Sequence, residues 1–244
     1  MAGSQASLGW PPEWLDTPAG LAPSCFRHGA RSPAVLVANL EAADVATFLG
    51  LAPTPEDLAD RAAPRASAEP ARFLARRSLM RRFAGQALGC APGDVVVTHV
   101  LGGAPRLLRP QVPLHLSSAA RGPLTVLALS QTAIGVDIER LDQAGAPPLD
   151  MLHPRERALL AQCPPDSRWP AFLRLWCVKE AYLKMRGTGF ARPVEALEAH
   201  DAGDGVAIVD DGVPVDGIAV ALRQISFPSG DALVACVARR VAGA

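Results

Sequence analysis

The chain has no net charge to spend: its 24 lysines and arginines balance 24 aspartates and glutamates. A neutral chain carries no global basic field for nucleic acid or an anionic membrane, so any affinity for phosphate must be local. It also lacks an apolar run near the roughly 20 residues that span a bilayer, and its N-terminus has no basic stretch followed by an apolar one, so it reads as a soluble, cytoplasmic protein. Its five cysteines include no Cys-x-x-Cys pair, which argues against both a disulfide framework and a zinc site. The five histidines are scattered singly and read as structural or surface groups. No Gly-x-Ser-x-Gly elbow, complete Gly-x-Gly-x-x-Gly or P-loop occurs, which disfavours those hydrolase, dinucleotide and nucleotide classes. Lysine is scarce beside alanine, proline and arginine, a bias from which no function follows.

What is present is concentrated in two short segments. In Gly135-Val136-Asp137-Ile138-Glu139, strand alternation turns Asp137 and Glu139 to one face and Val136 and Ile138 to the other. In Trp176-Cys177-Val178-Lys179-Glu180-Ala181-Tyr182-Leu183-Lys184, helical spacing stacks Glu180 and Lys184 one turn apart, with Trp176 above them as a packing residue. Carboxylate oxygens with few other ligand types suit Mg²⁺, which takes one or two protein carboxylates plus substrate phosphates. The bland alternatives are a solvated strand end and an i,i+4 surface pair worth only about 0.3–0.5 kcal/mol.

The rest of the chain supplies a scaffold for these segments. Residues 1–32 are rich in proline and glycine and read as an extended arm, followed by a strand over 34–40, a helix over 41–49 and a proline-punctuated connection over 53–70. A helix over 71–88 carries Arg72, Arg76, Arg77, Arg81 and Arg82 and stops at Gly89; Arg76, Arg77, Arg81 and Arg82 are expected on a solvated face. Strands are expected over 95–100 and 114–117, and a hairpin over 124–129 and 133–139 turns at Ser130-Gln131-Thr132. A helix over 151–161, a long helix capped by Ser167 and ending near Gly187, and strands near 206–209, 217–223 and 231–237 complete the chain.

The order, spacing and flanks of Ile134-Gly135-Val136-Asp137-Ile138-Glu139 and Trp176-x-x-Lys179-Glu180-Ala181-x-x-Lys184 resemble those of the 4′-phosphopantetheinyl transferases, in particular the longer surfactin-synthetase type. The resemblance implies an α+β monomer built as a pseudo-twofold pair of similar α/β subdomains with the active site between them. Residues 33–120 would form the subdomain that holds the 3′-phosphate of coenzyme A, and 121–244 the one that carries the metal site and catalytic helix. It further implies transfer of the phosphopantetheine arm of coenzyme A to a serine of an acyl or peptidyl carrier protein, the activity of a holo-[acyl-carrier-protein] synthase. Adenosine 3′,5′-bisphosphate is released, and the carriers are those of nonribosomal peptide, polyketide or siderophore synthesis.

By that resemblance Asp137, Glu139 and Glu180 hold Mg²⁺, with Mn²⁺ as the alternative, while Glu180 and Lys184 are catalytic. Coenzyme A contacts are expected from Arg72, Arg65, Arg106, Ser117, Ser118, Lys179 and Lys184; for Lys179 a structural role is the alternative. Neither nucleic acid nor a membrane is expected as a partner. Two positions depart from the family pattern. Ala104 stands where a lysine is usual in Gly103-Ala104-Pro105, and Ser118 stands where a histidine is usual in His115-Leu116-Ser117-Ser118-Ala119. Arg106 or Arg121 could replace the missing contacts. The altered clamp also motivates the competing expectation of a noncatalytic homologue that binds coenzyme A or a carrier protein.

Overall fold

The computed structural model describes residues 12–15, 33–41, 48, 50–62, 69–99, 105–142, 145–202 and 205–240. They fall into two compact units, one within 9–131 and one within 132–244, and the secondary structure is mixed α+β. The helix expected over 41–49 lies almost wholly outside the described residues.

In the first unit a four-stranded sheet runs in the order β1 (Glu13–Leu15), β2 (Ala34–Asn39), β6 (Leu124–Ser130), β5 (His115–Arg121). The two inner strands are buried along nearly their whole length, which matches their continuous apolar sequences. Part of the expected arm is therefore a strand: Glu13–Leu15 pairs in parallel with Ala34–Leu36. Helix α1 (Pro55–Ala62) occupies what the prolines suggested was a connection. Its start is locally encoded, since the Thr54 hydroxyl accepts from the Asp57 amide at 3.1 Å, the Asp57 carboxylate accepts from the Thr54 amide at 3.0 Å, and Pro55 sits at the first helical position. Helix α2 (Pro70–Leu88) buries Ala75, Leu79 and Phe83 in the core with Leu36, Leu127 and Leu129, and left-handed Gly89 ends it.

The expectation that α2 presents a solvated cationic face fails at two positions. Arg77 and Arg81 are each 2% exposed. Arg77 Nε donates to Asp57 Oδ1 at 2.8 Å and Arg81 Nη1 to Asp57 Oδ2 at 3.2 Å, while Arg81 also reaches the carbonyls of Ala52 and Val95. The carboxylate delivered by α1 makes burial of two guanidinium groups tolerable, and helical periodicity cannot show it. Strands β3 (Val96–His99) and β4 (Pro105–Arg109) form a separate two-stranded ladder.

The second unit begins with β7 (Ile134–Arg140), which pairs with β12 (Gly230–Arg239); β12 in turn pairs with β11 (Ile218–Phe227). The expected hairpin over 124–139 is not formed, because β6 pairs with β2 and β5 whereas β7 pairs with β12. Ser130-Gln131-Thr132 instead crosses the boundary between the units. A second sheet has the order β10 (Val213–Pro214), β9 (Val206–Asp210), β8 (Leu197–Asp201). Helix α3 (Pro154–Gln162) precedes α4 (Pro165–Arg186), whose Cys177, Ala181 and Tyr182 share a core with Leu233, Ala235 and Val237 of β12. The cap of α4 is Pro164, with Ser167 already inside the helix; left-handed Gly187 ends it as expected.

Candidate functional site

Gly135 explains how α4 comes to lie on β7. A methyl group there would overlap the Ala181 carbonyl and the Met185 amide, so the missing side chain allows backbone to meet backbone. Alternation then points Asp137 and Glu139 toward the same helix. Asp137 is 2% exposed, Glu139 7% and Glu180 8%, so these carboxylates are drawn into the protein rather than left at a solvated strand end.

Lys184 joins the two elements. Its Nζ donates to Asp137 Oδ1 at 2.6 Å and lies 3.8 Å from Glu180 Oε2, the helical neighbour one turn back. A cation between strand and helix carboxylates is more than an i,i+4 surface pair, because one partner comes from 47 residues away and is buried. The local potential registers at Cys177, a fully buried thiol pushed well above its ordinary value by burial first and then by Asp137 and Glu139, with Lys184 opposing. Sequence reasoning gave Cys177 no part in this surrounding; its position three residues before Glu180 is the only signal.

Among the described residues no three His, Cys, Asp or Glu groups are clustered closely enough to hold a metal ion as they stand. The donor chemistry nevertheless fits Mg²⁺: Asp137 and Glu139 supply hard oxygens from one strand face, Glu180 supplies another, and two carboxylates with phosphate oxygens meet that ion's needs. Lys184 is the group with which such an ion would share Asp137.

Lys179, expected among the coenzyme A contacts, is placed elsewhere. It is 1% exposed and its Nζ is 2.5 Å from Glu156 Oε2 on α3. Burial lowers its pKa, opposed by the bond to Glu156 and by the charges of Glu156, Glu195 and Glu198. Neighbouring Tyr182 faces β9, donating to Asp210 Oδ2 at 2.8 Å. Burial, with Asp210, pushes its phenol from 10.0 up to about 12. The folded state then holds this proton more tightly, so the stabilisation is whole below pH 10 and is lost as pH rises through about 12. Melting curves should show wild-type protein losing stability across that window relative to Tyr182→Phe; identical pH dependence in the two would remove the assignment.

Of the expected coenzyme A residues of the first unit, those described lie on α2, β4 and β5. Arg72 is half-buried and forms an ion pair with Glu69. Arg65 and Ala104 lie outside the described residues. Ser117 is buried and Ser118 half-buried on β5. Arg106, on β4, lines a cleft of about 530 Å³ together with Gln111, Val112, Leu114 and His115. In the sequence His115 is one of the scattered histidines, although alternation places it on the same face of β5 as Ser117. Arg76 is bound within the unit, to the Thr125 hydroxyl at 3.2 Å and the Gly122 carbonyl at 2.5 Å.

Comparison with known proteins bears on the second unit above all. A sequence model described as the 4′-phosphopantetheinyl transferase superfamily matches residues 133–237. The 4′-phosphopantetheinyl transferase HetI of Nostoc sp. is 34% identical over 137 residues, which cover 52% of this chain and 56% of that protein. A 4′-phosphopantetheinyl transferase of Bacillus subtilis is 27% identical over 139 residues, 55% of this chain and 60% of its own length. The psf-1 transferase of Bacillus pumilus is 27% identical over 156 residues, 59% and 64% respectively. The chain thus spans under two thirds of the length of these relatives. The matched segment, which holds both β7 with Asp137 and Glu139 and α4 with Glu180 and Lys184, is similar to the 4′-phosphopantetheinyl transferase superfamily.

Proposed function

We propose that this protein transfers the 4′-phosphopantetheine arm of coenzyme A to a serine hydroxyl of an acyl or peptidyl carrier protein, in a Mg²⁺-dependent reaction serving nonribosomal peptide, polyketide or siderophore synthesis. The observation that supports it most directly is the convergence of Asp137 and Glu180 on Lys184, where β7 meets α4. The reacting serine oxygen forms a bond to the phosphorus nearer the pantetheine. The bond from that phosphorus to the bridging oxygen breaks, and adenosine 3′,5′-bisphosphate leaves with the electron pair. Glu180 accepts the serine proton, and Lys184 offsets the charge that grows on the transferring phosphoryl group. Asp137 holds the Lys184 ammonium in place, at 2.6 Å. Asp137, Glu139 and Glu180 would hold Mg²⁺, which neutralises charge on a diphosphate when bound.

Incubation with coenzyme A, Mg²⁺ and apo carrier proteins is expected to add the mass of the arm to the carrier serine, and chelation of the metal to stop it. Absence of the product across a broad panel of carriers would overturn the proposal. The departures at Ala104 and Ser118 support a second reading, a noncatalytic protein that binds coenzyme A or a carrier; calorimetry showing binding without turnover would favour it.

A further inference from the structure

We propose that Glu156 and Lys179 are a positioning pair that sets the rotation and register of α4, and thereby holds Glu180 and Lys184 against Asp137. Both partners are about 1% exposed at their side chains, 2.5 Å apart, and fully engaged. Lys179 Nζ also approaches the carbonyls of Met151 at 3.5 Å and Val194 at 3.4 Å. Glu156 Oε2 accepts from the His153 amide at 2.9 Å, and Oε1 from the Ala199 amide at 2.8 Å. One cation on α4 therefore gathers the turn Leu149–Met151, the start of α3, the turn Val194–Ala196 and strand β8.

Stability alone does not account for such a pair. A buried ion pair is often no more stabilising than apolar side chains of the same volume, and its best-attested consequence is to define register. That is what α4 needs. On the flank facing β7, the contact at Gly135 is backbone against backbone, with no side chain from that position to interlock with α4. Moving a helix by one residue shifts it about 1.5 Å and turns it about 100°. Such a step would carry Lys184 off Asp137, which it now meets at 2.6 Å. Lys179, adjacent to Glu180 in sequence, is the interlocking contact on the other flank. The first unit shows the same device: Asp57, at the third position of α1, closes a capping box and neutralises Arg77 and Arg81 of the following long helix. Glu156 closes the capping box of α3 and neutralises Lys179 of the helix that follows.

The kinetic half of the test rests on the transfer reading; the exchange half does not. In the full-length double variant Glu156→Gln/Lys179→Met both charges are removed with little change of volume. We expect a folded protein whose kcat falls roughly 10–100-fold at an unchanged KM for coenzyme A. Amide hydrogen exchange over Cys177–Met185 should quicken at least about tenfold while β11 and β12 exchange as before. If the double variant does not fold, Glu156→Gln alone carries the same measurements with the same expectations. A folded variant with wild-type exchange in α4 overturns the proposal. So does a large rise in KM for coenzyme A at constant kcat, which would make Lys179 a substrate contact. A wild-type protein without transferase activity would defeat the functional reading and leave exchange to decide the positioning role.

Discussion

Under the proposed transfer reaction, Asp137→Asn should lower the rate by roughly 10²–10³-fold, the loss associated with removing one preorganised electrostatic group from a charged transition state. Asparagine fills the same space between β7 and α4 but cannot hold the Lys184 ammonium at 2.6 Å by charge. It also removes one hard oxygen donor from the strand face that carries Glu139. The released cation is not stranded, because the Lys184 side chain is 28% exposed and can turn to water. Fold and function should therefore separate: the far-ultraviolet spectrum and melting temperature stay near wild type, while mass spectrometry of the carrier shows little product. Transfer at the wild-type rate would dismiss the β7–α4 junction as the reacting site.

Asp57→Ala is the substitution with the largest expected cost in stability, about 3–5 kcal/mol, the range for removing one partner of a buried ion pair. It deprives Arg77 and Arg81, each 2% exposed, of their shared carboxylate, and removes the side-chain half of the α1 capping box as well. Arg77 retains Asp60 and the Val97 carbonyl, and Arg81 retains backbone carbonyls, so the unit need not collapse outright. Urea unfolding checks this through a lower midpoint at an unchanged slope, with tryptophan fluorescence and circular dichroism as probes. A cost below about 1 kcal/mol, the scale of an exposed pair, would show that the buried network is not the anchor described above.

The contrast between these two aspartates shows which relations a chain discloses. Asp137 is legible because a period of two along β7 and a period of nearly four along α4 are properties of neighbouring residues, and the family resemblance links the two segments. Asp57 is hidden in the sequence because Pro53 and Pro55 look like breakers, although Pro55 in fact opens the helix. The arginines of α2 look like surface for a related reason: a charged side chain announces its cost of burial but not the partner that offsets it. Lys179 is the same case in the second unit, since Glu156 lies 23 residues earlier on another helix.

Local periodicity and end signals accounted for the spans of β2, α2, β7 and most of α4, and for the pairing of Asp137 with Glu139 and of Glu180 with Lys184 on their respective faces. Strand partners were another matter. Whether β7 turns back on β6 or joins β12 depends on which apolar faces can be covered together, a competition among distant segments that no short window contains. The same holds for the charges. Burial makes an ion pair depend on groups brought together by packing, so the fates of Arg77, Arg81 and Lys179, and the grip of Lys184 on Asp137, were settled only when the helices found their places.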